Sequence, residues 1–216
     1  TTYTARKHYE LQRAPLNIAP GSIPSGKEWY WELLQPGVPQ TLDVSLSDAA
    51  STVVTLRVGV TTHALGDARV QLLWDTRVVA TSSLPRDELT VLQDTIEVEG
   101  GAGQLEVRAL GDSTAFLDWY EVEYERHLST VDGMLIFDGA SADRAAYALT
   151  GFDTAPRLFD VSDEGLTQIT GASFDETAGQ LSFQAAATDG MRRYAAVIDS
   201  SLMTVSNVQA RSLGEL

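Results

Sequence analysis

The sequence predicts an all-β chain, a jelly-roll-like β-sandwich over residues 1–128 followed by a second small β-sandwich or barrel over residues 129–216. Three observations predict it. The stretch Ala115 to Leu128, AFLDWYEVEYERHL, reads as the closing strand of a sandwich. Phe116, Tyr120, Val122 and Tyr124 fall on one face at a strand's period of two, and Trp119, Glu121, Glu123 and Glu125 fall on the other. About eight short apolar segments, spaced by turn residues, fit a jelly roll. Helical stripes are nearly absent, and after residue 128 a new and tighter β-pattern begins.

The first-module strands are expected near Glu28 to Leu34, Gln40 to Leu46, Val53 to Val60, Arg69 to Leu73, Arg77 to Ala80, Thr90 to Val98, Gln104 to Leu110 and Ala115 to Tyr124. Each is rich in Val, Leu, Thr or aromatics, and clusters such as Ala64-Leu-Gly-Asp67, Glu99-Gly-Gly-Ala-Gly103 and Gly111-Asp-Ser113 separate them. Leu56, Val58 and Val60 alternate with Thr55, Arg57 and Gly59, which gives one packed and one wet face. Asp75-Thr76, between Trp74 and Arg77, has the length of a two-residue hairpin turn.

In the second module the expected strands are Met134 to Asp138, Ala145 to Phe152, Arg157 to Val161, Leu166 to Thr170, Gln180 to Ala186 and Arg193 to Ile198. Turns fall at Ser162-Asp-Glu-Gly165, Asp175-Glu-Thr-Ala-Gly179 and Thr188-Asp-Gly190. The linker, Leu128 to Gly133, is short, which favours docked modules.

Composition narrows the function. With 216 residues the chain can bury a core without covalent staples, and zero cysteines exclude disulfides, zinc-thiolate sites and a cysteine nucleophile. Asp and Glu number 30 against 15 Lys and Arg, a field that repels nucleic acid and anionic lipid. Such a surface suits ordinary acidic solubility or a saline habitat alike. Acidic side chains also suit calcium, but no D-x-[DN]-x-[DN]-G series occurs, so no cofactor or metal is expected. Thr1 onward shows no basic n-region with an apolar h-region, and no apolar run approaches the roughly 18 residues of a membrane span. The chain starts without Met and stops at Arg211-Ser-Leu-Gly-Glu-Leu216, which reads as part of something longer.

Several residues invite chemistry, and each has a structural reading beside it. Trp29 and Trp31 would point to one side of an early strand and Tyr30 to the other, so exposed tryptophans there would make a stacking platform for sugar rings and buried ones would fill the core. Asp118 shares the parity of Phe116 and Tyr120, which places a carboxylate at the core or its rim, either as a hydrogen-bonded anchor or as part of a ligand site. His8, His63 and His127 lie in different segments, and with neither a G-x-S-x-G nor an H-E-x-x-H motif they read as satisfied or surface histidines. Asp160 and Asp163 in Phe159-Asp-Val-Ser-Asp163 have turn-capping chemistry, and Gly100, Gly101 and Gly103 read as a hairpin bend. No catalytic residue is expected.

The succession LDWYEVEYERHL, GMLIFDG and YALTGFDTAPRLFDVSDEGLTQIT resembles the region just before the catalytic domain of gingipain-type cysteine peptidases, including the sortase of the type IX secretion system. The matching positions are Leu117 to Arg126, Leu135 to Phe137, Tyr147 to Phe152 and Phe159 to Asp163; Arg192 to Ile198 is similar to the family's last strand before the peptidase begins. The resemblance spans roughly Lys27 to Arg211 and implies a non-catalytic accessory or scaffold region of a secreted or outer-membrane-associated, cell-surface peptidase. Its implied partners are a downstream peptidase domain of the same polypeptide and other secretion or cell-surface proteins. Since the family's catalytic Cys and His would follow Leu216, neither is carried over to this chain, and no enzyme activity of its own is expected.

Two function classes follow. An accessory scaffold would present an apolar patch near the C-terminus, where Leu202, Met203, Val205 and Val208 meet the downstream domain. A carbohydrate-binding module would instead set Trp29 and Trp31 facing solvent in a groove.

Overall fold

The computed structural model describes residues 2–16, 29–130, 132–139, 144–162, 165–186 and 191–202. It is all-β: the one helical turn among the described residues is a 3-10 turn at Asp199–Ser201. The chain divides into two compact units, Thr2–His127 and Leu128–Leu216.

The first unit is a sandwich of two antiparallel sheets. One sheet is ordered β1 (Thr2–Glu10), β11 (Ala115–His127), β6 (Ala49–Thr61) and β9 (Thr90–Glu97), with β4 (Glu32–Leu34) also paired to β11. The other is ordered β5 (Gln40–Ser45), β10 (Ala102–Leu110), β7 (Ala68–Trp74) and β8 (Arg77–Leu84). A two-stranded ribbon joins β2 (Ala14–Pro15) to β3 (Trp29–Tyr30). Val54, Leu56, Val58 and Val60 of β6 are fully buried and belong to one core with Val70 and Leu72 of β7 and Leu105 and Val107 of β10. Each such side chain contributes about 1.5–3 kcal/mol on burial. The Asp75-Thr76 hairpin forms as expected, with Trp74 opposite Arg77 and both turn residues at positive φ, 46° and 72°.

Three features of this unit were not expected. β1 was not foreseen, because its inward positions Tyr3, Ala5, Lys7 and Tyr9 include a charge and a small residue and give no clean apolar stripe. The segment expected as one strand, Glu28 to Leu34, breaks at a bend on Trp31 between β3 and β4. A bulge at Asp118 shifts the β11–β6 register between Leu117 and Trp119. The extra residue inverts the alternation. Ala115 and Leu117 therefore join Tyr120, Val122 and Tyr124 in the sandwich core, while Phe116 packs outside that cluster against Tyr30 and His63. The shared face expected for Phe116 and Tyr120 does not exist.

The second unit pairs a sheet ordered β12 (Met134–Asp138), β18 (Arg193–Val197), β14 (Arg157–Asp160) and β15 (Thr167–Ile169) with a sheet ordered β13 (Arg144–Leu149), β17 (Gln180–Ala186) and β16 (Ser173–Asp175). Aromatic rings bridge the two sheets: Phe137 meets Tyr147 at 5.4 Å and Phe183 meets Tyr194 at 5.4 Å between centroids. Neither sheet closes into a barrel.

Candidate functional site

The aromatic residues of the first unit sort into three environments. Trp29 is 45% exposed on the two-stranded ribbon. Trp31 is 8% exposed, held at the bend by its N–H donating to Leu117 O at 2.9 Å. Its ring stacks on Tyr120 at 5.4 Å, and Tyr120 stacks on Tyr9 at 4.6 Å. The bend thus turns two tryptophans, two residues apart, to opposite uses: one ring open to water, one closing the core.

The Trp31–Tyr120–Tyr9 stack underlies a cleft of about 360 Å³, where the edge of β1 passes the edge of β5. His8, Tyr9, Glu10, Leu11, Leu42 and Asp43 complete its lining with Trp31 and Tyr120. One step along β1, Lys7 points inward and donates from Nζ to Ser45 O at 3.1 Å, with Nζ 5.7 Å from the centroid of Tyr124. Burial and the charge of Arg126 lower the Lys7 pKa, opposed by Asp48. Burial pushes the Tyr120 hydroxyl up to about 12, so that ring stays neutral at physiological pH.

The histidines separate. His127 is exposed, and His8 lies on the outer face of the sheet, 3.5 Å from Glu10 and 3.7 Å from Glu121, with its ring tilted against Trp119. His63 is brought to a carboxylate and a hydroxyl from distant segments: Nδ1 lies 2.6 Å from Asp87 Oδ1 and Nε2 lies 3.2 Å from the Tyr30 hydroxyl. Asp87 adopts positive φ, 62°, and donates its N–H to Thr62 O at 2.8 Å. Sequence spacing gave no sign of this trio, because its members come from β3 and from the segments following β6 and β8. Tyr30 and Phe116 are buried over it, so the trio acts as a clamp holding β3 against the end of β6.

Two other carboxylates singled out by the sequence lie at a bulge and at a turn. Asp118 sits at the bulge and is 4% exposed. Asp160, in the Phe159–Asp163 motif, accepts from Ser162 N at 3.0 Å, Ser162 Oγ at 2.5 Å and Arg192 Nη1 at 2.8 Å. Burial alone would raise its pKa, but the bonds from Ser162 and the Arg192 charge outweigh it and hold the carboxyl below its ordinary range. That is turn anchoring; Asp163 lies outside the described residues. Among the described residues no group of three or more His, Asp or Glu is placed to hold a metal ion. Of the four residues expected to dock a downstream domain, Leu202 is 42% exposed, and Met203, Val205 and Val208 lie outside the described residues.

No protein-family model and no curated protein matches this sequence. Among solved structures, the chain is similar to dimeric latent PorU from Porphyromonas gingivalis, with a TM-score of 0.72 and 11% identity over 93% of this chain and 20% of that one. The two share a fold. The match reaches through both units, since the first alone falls well short of 93% of the chain, and the chain spans about a fifth of the length of PorU. Two carbohydrate-binding modules align less well. The C-terminal CBM6 of LamC, a marine laminarinase from Zobellia galactanivorans, gives a TM-score of 0.34 at 13% identity over 56% of this chain and 98% of that one. The CBM36-1 domain of a multidomain xylanase from the hindgut metagenome of Trinervitermes trinervoides gives 0.37 at 12% identity over 56% and 96%. Scores at that level carry no argument about fold or ligand.

Proposed function

We propose that this chain is a non-catalytic accessory region of a secreted or cell-surface gingipain-type cysteine peptidase, positioning a downstream catalytic domain or its partners. The observation that carries this reading is the fold likeness to PorU, which runs through both β-units in tandem. It coincides with motif resemblances to the same peptidase family that lie at the closing strand of the first unit and throughout the second. The chain has no cysteine, in keeping with a supporting role beside a peptidase domain. The exposed Leu202 lies on the side of the chain that would lead into such a domain.

The coding sequence beyond Leu216 tests the reading. A following domain with a paired Cys and His supports it; a stop codon or an unrelated module there overturns it. A second reading, a carbohydrate-binding module, has the open ring of Trp29 in its favour. Saturable binding on a glycan array that is lost with Trp29→Ala would support it, and an array without hits would remove it.

A further inference from the structure

We propose that β12 (Met134–Asp138) is a pairing edge for a second copy of this chain, which adds its own β12 antiparallel about a twofold axis at Ile136. The proposal concerns the second unit alone and does not depend on the peptidase reading.

The backbone sets the kind of partner. β12 borders its sheet and pairs with β18 alone among the described strands. At the two ends of that pair Ile198 donates its N–H to Gly133 O at 3.0 Å, and Gly139 donates its N–H to Arg192 O at 2.7 Å. The register between them is unbroken, so the odd-numbered residues of β12 direct their N–H and C=O to β18. Met134, Ile136 and Asp138 turn theirs the other way. Such a row of alternating donors and acceptors is matched by another extended backbone.

The side chains leave this edge unguarded. β12 contains no proline, no lysine and no bulge. Its one charge, Asp138, is held by Arg193 at 2.7 and 3.2 Å. Met134 is 51% and Ile136 49% exposed on the outer face of the sheet. Ile136 lies beside Ala195 and Ala195 beside Phe159, so an apolar strip crosses three strands and stops at the open edge.

Self-complementarity makes a second copy the occupant. With the axis at Ile136, that residue faces its own counterpart and Met134 faces Asp138, so every outward backbone group of the three finds a partner. An axis at Leu135 leaves Asp138 out, and one at Phe137 leaves Met134 out. The axis at Ile136 also keeps both outer faces on one side of the joined sheet. The strip from Phe159 to Ile136 then continues into that of the copy, and the two isoleucines cover each other. A seam of this length is small beside the roughly 1,200 Å² at which stable interfaces begin. The pairing is accordingly weak, with a Kd of about 0.1–1 mM. Chains of formal net charge −15 repel one another, so added salt strengthens it.

The test is sedimentation equilibrium of the purified chain from about 10 μM to 2 mM, in low salt and in about 0.5 M NaCl. The mean mass should rise from one chain toward two, and do so at lower concentration in the higher salt. Ile136→Lys sets two ammonium groups face to face, and Ile136→Pro removes an N–H that no described strand uses. Each should weaken association at least about tenfold while circular dichroism stays unchanged. The chain has no cysteine, so a nitroxide attached to Met134→Cys reports the register. Four residues of strand rise and one strand spacing put the two labels about 14 Å apart, close enough for dipolar broadening that grows with concentration. The inference is overturned by a chain that stays single at about 2 mM in both salts, by association unchanged in both Ile136 variants, or by a dimer whose labels show no broadening. The coding sequence after Leu216 has no bearing on these outcomes, so the two readings fail separately.

Discussion

Arg57 Nη1 donates to Glu121 Oε1 at 2.8 Å across the β6–β11 pair, on the face of the sheet turned away from the sandwich core. The Glu121 side chain is nonetheless only 2% exposed. Arg6 reaches its other oxygen at 2.6 Å, and Arg57 also serves Glu123 at 3.2 Å and Gln93 at 3.0 Å. Beside them the Trp119 ring lies over Gly59, where an added Cβ would come within 2.5 Å of the indole. The outer surface of this sheet is a polar lid built from long side chains around one carboxylate.

Glu121→Ala should cost about 3 kcal/mol, because it strips a buried carboxylate from two guanidinium groups. Arg6→Ala, at a largely exposed position, should cost about 0.5 kcal/mol. Burial raises the Glu121 pKa, but hydrogen bonds from Arg57 and Arg6 and their charges outweigh it and leave it lowered. A carboxyl depressed in the fold contributes stability above the unfolded pKa and loses it as pH falls through the folded value. Urea midpoints for the wild type should therefore drop from about pH 5 downward, and more steeply than for Glu121→Gln. Matching slopes would contradict the assignment.

The two neighbouring tryptophans should separate in a denaturation experiment. Trp31→Ala removes a ring from the core stack and should cost about 3–5 kcal/mol. Trp29→Ala touches an open position and should change stability by about 0.5 kcal/mol at most. Comparable losses at both sites would mean that the bend on Trp31 is misplaced.

One substitution should stabilise the chain. Thr76 is β-branched and sits at φ 72° in the Asp75-Thr76 hairpin, a conformation that costs non-glycine residues about 1–3 kcal/mol. Thr76→Gly removes that strain at an entropic cost of about 0.5–1 kcal/mol in the unfolded chain. A net gain near 0.5–1 kcal/mol is expected as a higher denaturant midpoint with unchanged slope. Asp75 should be left alone, since its Oδ1 accepts from Gln104 N at 2.8 Å.

Alkali should unfold the first unit through its core tyrosines. Burial pushes Tyr120 and Tyr124 up to about 12, partly opposed at Tyr124 by the Arg126 charge. A phenol that keeps its proton longer in the fold than in the unfolded chain contributes fully below about pH 10, and the contribution disappears as pH rises toward 12. Absorbance at the phenolate band should show these two groups ionising late and together with loss of the β-sheet circular dichroism signal. Ionisation near pH 10 without unfolding would contradict their burial.

Much of the fold can be read from the sequence, because strand alternation and glycine-rich turns are local signals. The β6 run from Val54 to Val60 and the Asp75-Thr76 turn needed no distant information. What was hidden depends on partners. β1 carries Lys7 at an inward position and is recognisable only once β11 is known to lie beside it. The bulge at Asp118 appears only against the register of β6, and without it Phe116 is assigned to the wrong side. The His63–Asp87–Tyr30 clamp and the β1–β5 cleft assemble from segments tens of residues apart, which no spacing rule joins.

The inward Lys7 has a consequence for self-association. β1 pairs with β11 alone among the described strands, so its other margin is a template on which a neighbouring molecule could zip up its own backbone. An ammonium fastened across that margin to Ser45 would have to be torn loose and left stranded in a dry joint before such a zipper could form. A half-buried amine at that border thereby raises the cost of extending the sheet by a further strand.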